Sequence, residues 1–222
     1  MAAWLVFARR ASSVWDSPAS RRAMRIRCRE YVSLAVIGIY RYRCGEGLRH
    51  AEAVLTIRPA TVEDAEEIAG VHVRAWQVGY RGLLADDYLD GLQAKDRMRR
   101  YTFGLTGPDH PATSVAIAEG ALCGMVTTGL CRDEDAPESG EVYALYVDPA
   151  RWGSGVGRLL IAEARASLRS QGLLDARLWM LAGNERGHRF YSADGWHMDG
   201  QRRQAEVWGV WVDEVLFHRR LT

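Results

Sequence analysis

The sequence predicts an α/β fold with a central mixed β-sheet and helices on both of its faces. Three observations carry this. An apolar run rich in β-formers, Val142 to Val147, passes through a glycine-rich stretch into a segment with Val156, Leu159, Leu160, Ala164 and Leu168 at helical spacing. Around that junction the segments read β-α-α-β-β-β-α-β-α-β-β, an order that lays helices on a mixed sheet. The 222 residues, 48% hydrophobic, suit one soluble domain of ordinary size with some chain left over.

The left-over chain is residues 1–54, which hold ten arginines against the four acids Asp16, Glu30, Glu46 and Glu52. Trp4 to Phe7 is too short for a signal-peptide core, and the apolar patch Tyr31 to Tyr40 is too short to span a bilayer. An arginine- and serine-rich start fits a mitochondrial presequence, an interaction arm, or an extension outside the working protein. The expectation is a disordered or dispensable extension, with the domain at residues 55–222.

Leu55 to Pro59 is then a first strand, and Thr61 with Asp64 a capping-box-like helix start. The helix carries Ala65, Ile68, Ala69, His72 and Trp76 on one stripe, which makes His72 a packing residue rather than a catalyst. Trp76 to Leu84 is a turn, and Asp86 to Tyr101 reads as one second helix. Two strands, Thr113 to Ala118 and Leu122 to Leu130, join through Glu119-Gly120-Ala121 as a hairpin. Gly140 to Val147 is the strand feeding the glycine stretch, and the helix after it ends near Gln171-Gly172. Leu173 to Ala182 alternates as a strand, and Asn184 opens a short helix, Glu185 to Ala193, ended by Gly195. Trp196 to Asp199 begins another strand, Gln201 to Ala205 is a polar turn, and Val207 to Leu216 is the last strand.

The junction itself reads Val147-Asp148-Pro149-Ala150-Arg151-Trp152-Gly153-Ser154-Gly155-Val156-Gly157-Arg158. Pro149 ends the strand because it has no N–H for a ladder. The first N–H groups of the following helix lack internal partners, and the helix end carries roughly half a positive charge. Glycines let that backbone approach a phosphate closely. The dinucleotide pattern is absent, because Gly153, Gly155 and Gly157 have the wrong spacing. The Walker pattern is absent too, since the only lysine, Lys95, lies far away.

The stretch resembles the acetyl-CoA loop of the GNAT superfamily of N-acetyltransferases, Gln/Arg-x-x-Gly-x-Gly/Ala after a strand. Gly155-Val156-Gly157 matches its glycine core, while Trp152 fills the Gln/Arg position, leaving Arg151 or the backbone alone to serve there. Phe190-Tyr191-x-x-x-Gly195-Trp196 resembles the family's Phe-Tyr-x-x-x-Gly-Phe signature. Together the motifs cover about residues 55 to 220 and imply a GNAT-like acyl-CoA N-acyltransferase fold.

The resemblance implies acetyl-CoA as co-substrate, its pyrophosphate on the N–H groups of Trp152, Gly153, Ser154, Gly155, Val156, Gly157 and Arg158, with charge from Arg151 and Arg158. The pantetheine arm is expected along Leu145, Tyr146 and Val147, which must splay from the next strand, with the Val147 N–H facing the thioester oxygen. Asn184 is expected to hold that arm, to cap the following helix, or both. Tyr191 is the expected general acid, since a phenol of pKa ~10 suits a thiolate leaving group. Glu141, alternating onto the face of Tyr143 and Leu145, is the expected base. Trp76, Tyr80 and Tyr143 are expected to shape the acceptor site, with core packing the other reading for Trp76 and Tyr80.

Charge and composition exclude several classes. A net charge of +1 implies no nucleic-acid partner, and no apolar run reaches the ~18 residues of a membrane span. Cys28, Cys44, Cys123 and Cys131 show no metal spacing and the histidines form no metal cluster, so no metal is expected. Free thiols fit a reducing compartment, and a cytoplasmic location is expected. The expected partner is a small-molecule or peptide amine acceptor, with a homodimer left open. The competing class is a non-catalytic acyl-CoA-binding module, which Trp152 favours and Tyr191 opposes.

Overall fold

The structure is a computed structural model that describes residues 53–101, 103 and 110–221, together with the strand stretches 32–34 and 39–42. Among the described residues nine strands run β1 (Val32–Leu34), β2 (Ile39–Tyr42), β3 (Ala53–Pro59), β4 (Ala112–Ala118), β5 (Ala121–Leu130), β6 (Gly140–Val147), β7 (Asp175–Leu181), β8 (His197–Val207) and β9 (Val210–Arg220). They form one sheet in the order β1-β2-β3-β4-β5-β6-β7-β9-β8. The helices are α1 (Ala65–Gly79), α2 (Asp86–Asp90), α3 (Ala94–Met98), α4 (Val156–Ser170) and α5 (Glu185–Ala193). All strand pairs are antiparallel except β6 with β7. That pair is parallel because helix α4 carries the chain across between them.

The two faces of the sheet are covered by different helices. On one, Val156, Leu160, Ile161, Ala164 and Leu168 of α4 bury against Leu55, Ala116, Val126 and Val142. On the other, Ile68 and Val71 of α1 meet Val115, Leu122 and Met125. Each helix therefore presents its apolar stripe to the sheet. Among the described residues, no helix is long and apolar enough to cross a membrane.

Two irregularities in β6 matter for the site. First, β6 and β7 pair only at Gly140↔Ala176 and Glu141↔Arg177. Beyond that point β7 stays with β9 as far as Leu181, and the gap between β6 and β7 opens. Second, the β5–β6 ladder shifts register between Thr127 and Thr128, which pair with Ala144 and Val142. Tyr143 is thus an extra residue in a bulge, and a bulge reverses the alternation of side chains beyond it.

Several expected boundaries are corrected. The predicted helix from Asp86 to Tyr101 is two short helices broken at Gly91, where the Gln77 side chain donates to the Leu89 carbonyl at 3.0 Å. The predicted polar turn at Gln201 to Ala205 is strand. It belongs to β8, an edge strand whose exposed residues, Met198 apart, are polar on both faces, which hides its period. The true turn is Trp208-Gly209, with φ of 56° and 85°. Both central residues are left-handed, as tight hairpins require, but Trp is not a residue that announces it. Of the predicted extension 1–54, the described parts are β1, β2 and the first residues of β3, paired edge to edge onto β3. The remaining residues of that segment lie outside the described residues.

Candidate active site

The opened gap between β6 and β7 forms the wall of a cavity of about 600 Å³. Asp148 donates its N–H to the Cys123 carbonyl at 2.9 Å. Bonded residues alternate along an antiparallel ladder, so Ala144 and Tyr146 turn their backbone groups to β5. Leu145 and Val147 therefore turn theirs toward the gap. The Val147 carbonyl is taken by the Trp152 indole at 2.9 Å, which leaves its N–H.

The cavity ends at the N-terminus of α4. Gly155 caps that helix at φ 93° with no side chain accepting from the first turn. The donors there are left for a ligand. Gly153 is also left-handed, at φ 79°. Gly157 serves packing instead. A Cβ there would lie 3.2 Å from the Phe190 ring, so its absence lets α4 sit close to α5. Gly153, Ser154, Gly155, Gly157, Arg151 and Arg158 all line the cavity. Val156 does not; its side chain is wholly buried in the core, and only its backbone belongs to the loop.

Trp152, which replaces the Gln/Arg of the pattern, lines the cavity, and its indole bond to Val147 ties the loop to the end of β6. The Arg186 guanidinium lies 4.0 Å over its ring. Arg151 pairs with Glu119 at 2.7 Å. Asn184 caps α5 by accepting from the Gly187 N–H at 2.9 Å and still lines the cavity through the rest of its side chain.

Tyr191 stands on α5 with its ring against Phe190, Trp196 and Phe217. Its hydroxyl makes no hydrogen bond among the described residues, and the residue lines the cavity. Burial, and secondarily Tyr146, raise its pKa well above that of a free phenol. Tyr80, Tyr143 and Trp76 line the same cavity, with Trp76 edge-on to Tyr80 at 5.0 Å. Burial pushes Tyr146 up to about 12 and Tyr80 well above its ordinary value. The Tyr143 hydroxyl is turned to the Leu130 carbonyl, so that residue offers the cavity its ring.

Glu141 is the residue that the structure moves away from its expected place. It is 1% exposed and does not line the cavity. Arg132 holds it with its backbone N–H at 3.0 Å and with its guanidinium on both carboxylate oxygens. The reason is the bulge at Tyr143. Glu141 shares Arg132 with Tyr143, whose ring lies 4.2 Å from that guanidinium, but Leu145 packs on the α4 side of the sheet. Simple alternation through the strand does not hold across the extra residue.

The carboxylate that does line the cavity is Glu214 on β9, 8% exposed. Arg203 Nε donates to its Oε2 at 2.8 Å, while Oε1 makes no hydrogen bond among the described residues. Its charge contributes to raising both Tyr80 and Tyr146. Arg203 in turn bonds Asp133 at 3.0 Å and lies over the Trp179 ring at 4.0 Å. Alternation along β9 gives Glu214 a face, but nothing in the chain order says which cavity that face meets.

The family model described as Acetyltransferase (GNAT) family matches residues 78–196. The chain is 29% identical over 134 residues to the Bacillus subtilis protein named uncharacterized N-acetyltransferase YuaI, covering 59% of this chain and 74% of that one. It is 21% identical over 149 residues to the spermidine N(1)-acetyltransferase of Thermoplasma acidophilum, covering 65% and 89%. In fold it matches the crystal structure of the PaiA N-acetyltransferase of Thermoplasma acidophilum in complex with coenzyme A. There the TM-score is 0.58 at 20% identity, over 75% of this chain and 98% of that one. The family match spans the glycine loop, the splayed strands and Tyr191, and the chain belongs to the acetyltransferase (GNAT) family.

Proposed function

We propose that this acetyl-CoA-dependent N-acetyltransferase uses the cavity to acetylate the primary amine of a small cationic acceptor. The observation that supports the reading best is the cavity's polarity. Arg151, Arg158 and Arg186 gather at the α4 N-terminus, where a pyrophosphate fits. Glu214 is the sole carboxylate among the described lining residues, and it stands near Tyr80 and Tyr146. Aromatic faces with one acid attract an ammonium group.

In this reading the amides of the donor's arm pair with the free backbone groups of Leu145 and with Asn184. The Val147 N–H polarises the thioester carbonyl. Glu214 takes a proton from the ammonium, and the freed amine attacks the carbonyl carbon. The C–N bond forms, the C–S bond breaks, the nitrogen's second proton passes to the departing thiolate, and Tyr191 supports that sulfur with a hydrogen bond as its charge grows. Residues 55–222 are the working unit.

Calorimetric titration with acetyl-CoA tests the donor site. Micromolar binding is expected for the full chain and for residues 54–222 alike. Folded proteins that bind no acetyl-CoA would remove the reading; binding lost only on truncation would place residues 1–53 in the domain.

The base is tested by a pair of substitutions, following thiol release with a panel of polyamines and aralkylamines. Glu214→Gln is expected to lower turnover by roughly 10²–10⁴-fold, the range of general-base catalysis. Glu141→Gln is expected to act on stability instead, by about 1–3 kcal/mol, because it weakens a buried charged hydrogen-bond set. Unchanged turnover in Glu214→Gln returns the assignment to another group.

A further inference from the structure

Among the described residues, three buried side-chain polar atoms lack a hydrogen-bond partner: His72 Nε2, Trp76 Nε1 and Arg97 Nε. All three belong to one cluster. The His72 and Trp76 rings are 5.3 Å apart, and the Arg97 guanidinium lies 5.5 Å from the Trp76 ring. Tyr146 stands near enough to Trp76 to be influenced by its N–H, but not at hydrogen-bond geometry. The Trp and Arg atoms can only donate. Buried polar groups are normally satisfied, so the orphan Nε of Arg97, the one of the three residues that borders the pocket described next, points to a missing acceptor.

Arg97 is the centre of the cluster. It is 5% exposed, and no carboxylate among the described residues pairs with it. Its Nη2 donates to the Tyr88 hydroxyl at 3.2 Å, and its guanidinium lies 4.5 Å from the Trp208 ring. Arg100 lies over the same ring at 5.3 Å. Two guanidinium groups on one indole repel each other, and contact with the ring recovers only part of the cost of burying an unpaired charge. Both arginines line an open pocket of about 540 Å³ between α2, α3 and the Trp208-Gly209 turn, separate from the transfer cavity.

We propose that this pocket is a second binding site, for a small oxyanion. A carboxylate or phosphate group sits between Arg97 and Arg100 against Trp208, where the planar fork of a guanidinium matches two of its oxygens. Asp87 and Asp96 also line the pocket, and Asp96 faces Arg99 at 3.7 Å. Their carboxylates oppose an anion, against the three arginines Arg97, Arg99 and Arg100 of the same lining. Trp76 contacts Arg97 and also lines the transfer cavity, so the bound charge lies one side chain behind the acceptor wall.

The test is the unfolding midpoint of the full chain against inorganic phosphate, with sodium chloride at matched ionic strength as the reference. Coenzyme A is kept in excess so that the α4 terminus is not the site read. The wild type is expected to rise by roughly 3–6 °C at ten times its Kd, from ligand linkage in a protein of this size. Arg97→Met is expected to lose that rise and, without phosphate, to unfold no lower than the wild type, since an unpaired buried charge has been removed. Arg100→Gln, at an exposed position, is expected to lose at least half of the rise, and it carries the test alone should Arg97→Met not fold. No rise in the wild type overturns the proposal and leaves the donors to water. An equal rise in every variant that folds overturns it too, as a rise belonging to the glycine loop or to salt.

Discussion

Tyr191→Phe is expected to lower turnover by roughly 10- to 1000-fold while leaving acetyl-CoA affinity within about twofold. The substitution is clean because the hydroxyl has no partner among the described residues. Its loss orphans nothing, and the ring keeps its contacts with Phe190, Trp196 and Phe217. Stability should therefore hold. The raised pKa of this phenol sharpens the prediction. A thiol of pKa about 8.5 is the stronger acid, so full transfer from Tyr191 to the sulfur runs uphill. Tyr191 acts through a hydrogen bond that strengthens as negative charge grows on sulfur, and it keeps its proton through the whole neutral range. An alkaline limb in the pH–rate profile below about pH 10 therefore cannot come from this residue. Single-turnover and steady-state rates for both proteins across pH make the check. Equal rates would leave Tyr191 as packing, and an alkaline limb near neutrality that vanishes in Tyr191→Phe would mean the phenol titrates low.

Acidification should destabilise the protein through His72, by about 3 kcal/mol between pH 7 and pH 4. His72 is fully buried, stacked 4.2 Å from Tyr146, with Nδ1 2.7 Å from the Tyr101 hydroxyl. Burial, aided by the Arg97 charge, pushes its pKa from 6.5 down to about 3. The unfolded chain binds a proton near pH 6.5 while the folded one refuses it until about pH 3. Stability is thus complete above the unfolded pKa and drains away as pH falls from 6.5 toward 3. Buried carboxylates add to this loss; Asp64, held low by Arg58, is one. Comparison with His72→Gln isolates the histidine, because those carboxylates are common to both proteins. The variant should be less stable at pH 7 and lose about 3 kcal/mol less on the way to pH 4, read from urea unfolding at each pH. Parallel pH profiles would contradict a neutral buried imidazole.

The features legible without the structure are those that local rules govern. The strand, glycine loop and helix from Gly140 to Ser170 are dictated by β-branched residues, Pro149, three glycines and a helical stripe, all acting within a few residues of each other. The same holds for Asn184 as a cap, and for Glu119-Gly120 as a hairpin turn with φ of 55° and 79°. Weak local signals hide other boundaries: Trp208-Gly209 has the geometry of a tight turn with only Gly209 to mark it, and the polar edge strand β8 has no apolar period to show.

Neighbours along the chain were enough to establish the fold class, the glycine loop with its family resemblance, and the candidacy of Tyr191. The choice between two carboxylates depended on the folded arrangement alone. One inserted residue at Tyr143 takes Glu141 out of step with Leu145, and Arg132 binds it outside the cavity. Glu214, 73 residues further on, reaches the cavity only because β9 is hydrogen-bonded to β7 on the far side of the gap. A side chain's face follows from parity along its own strand. Which cavity that face meets is set by register between strands far apart in sequence, and no local rule carries that information.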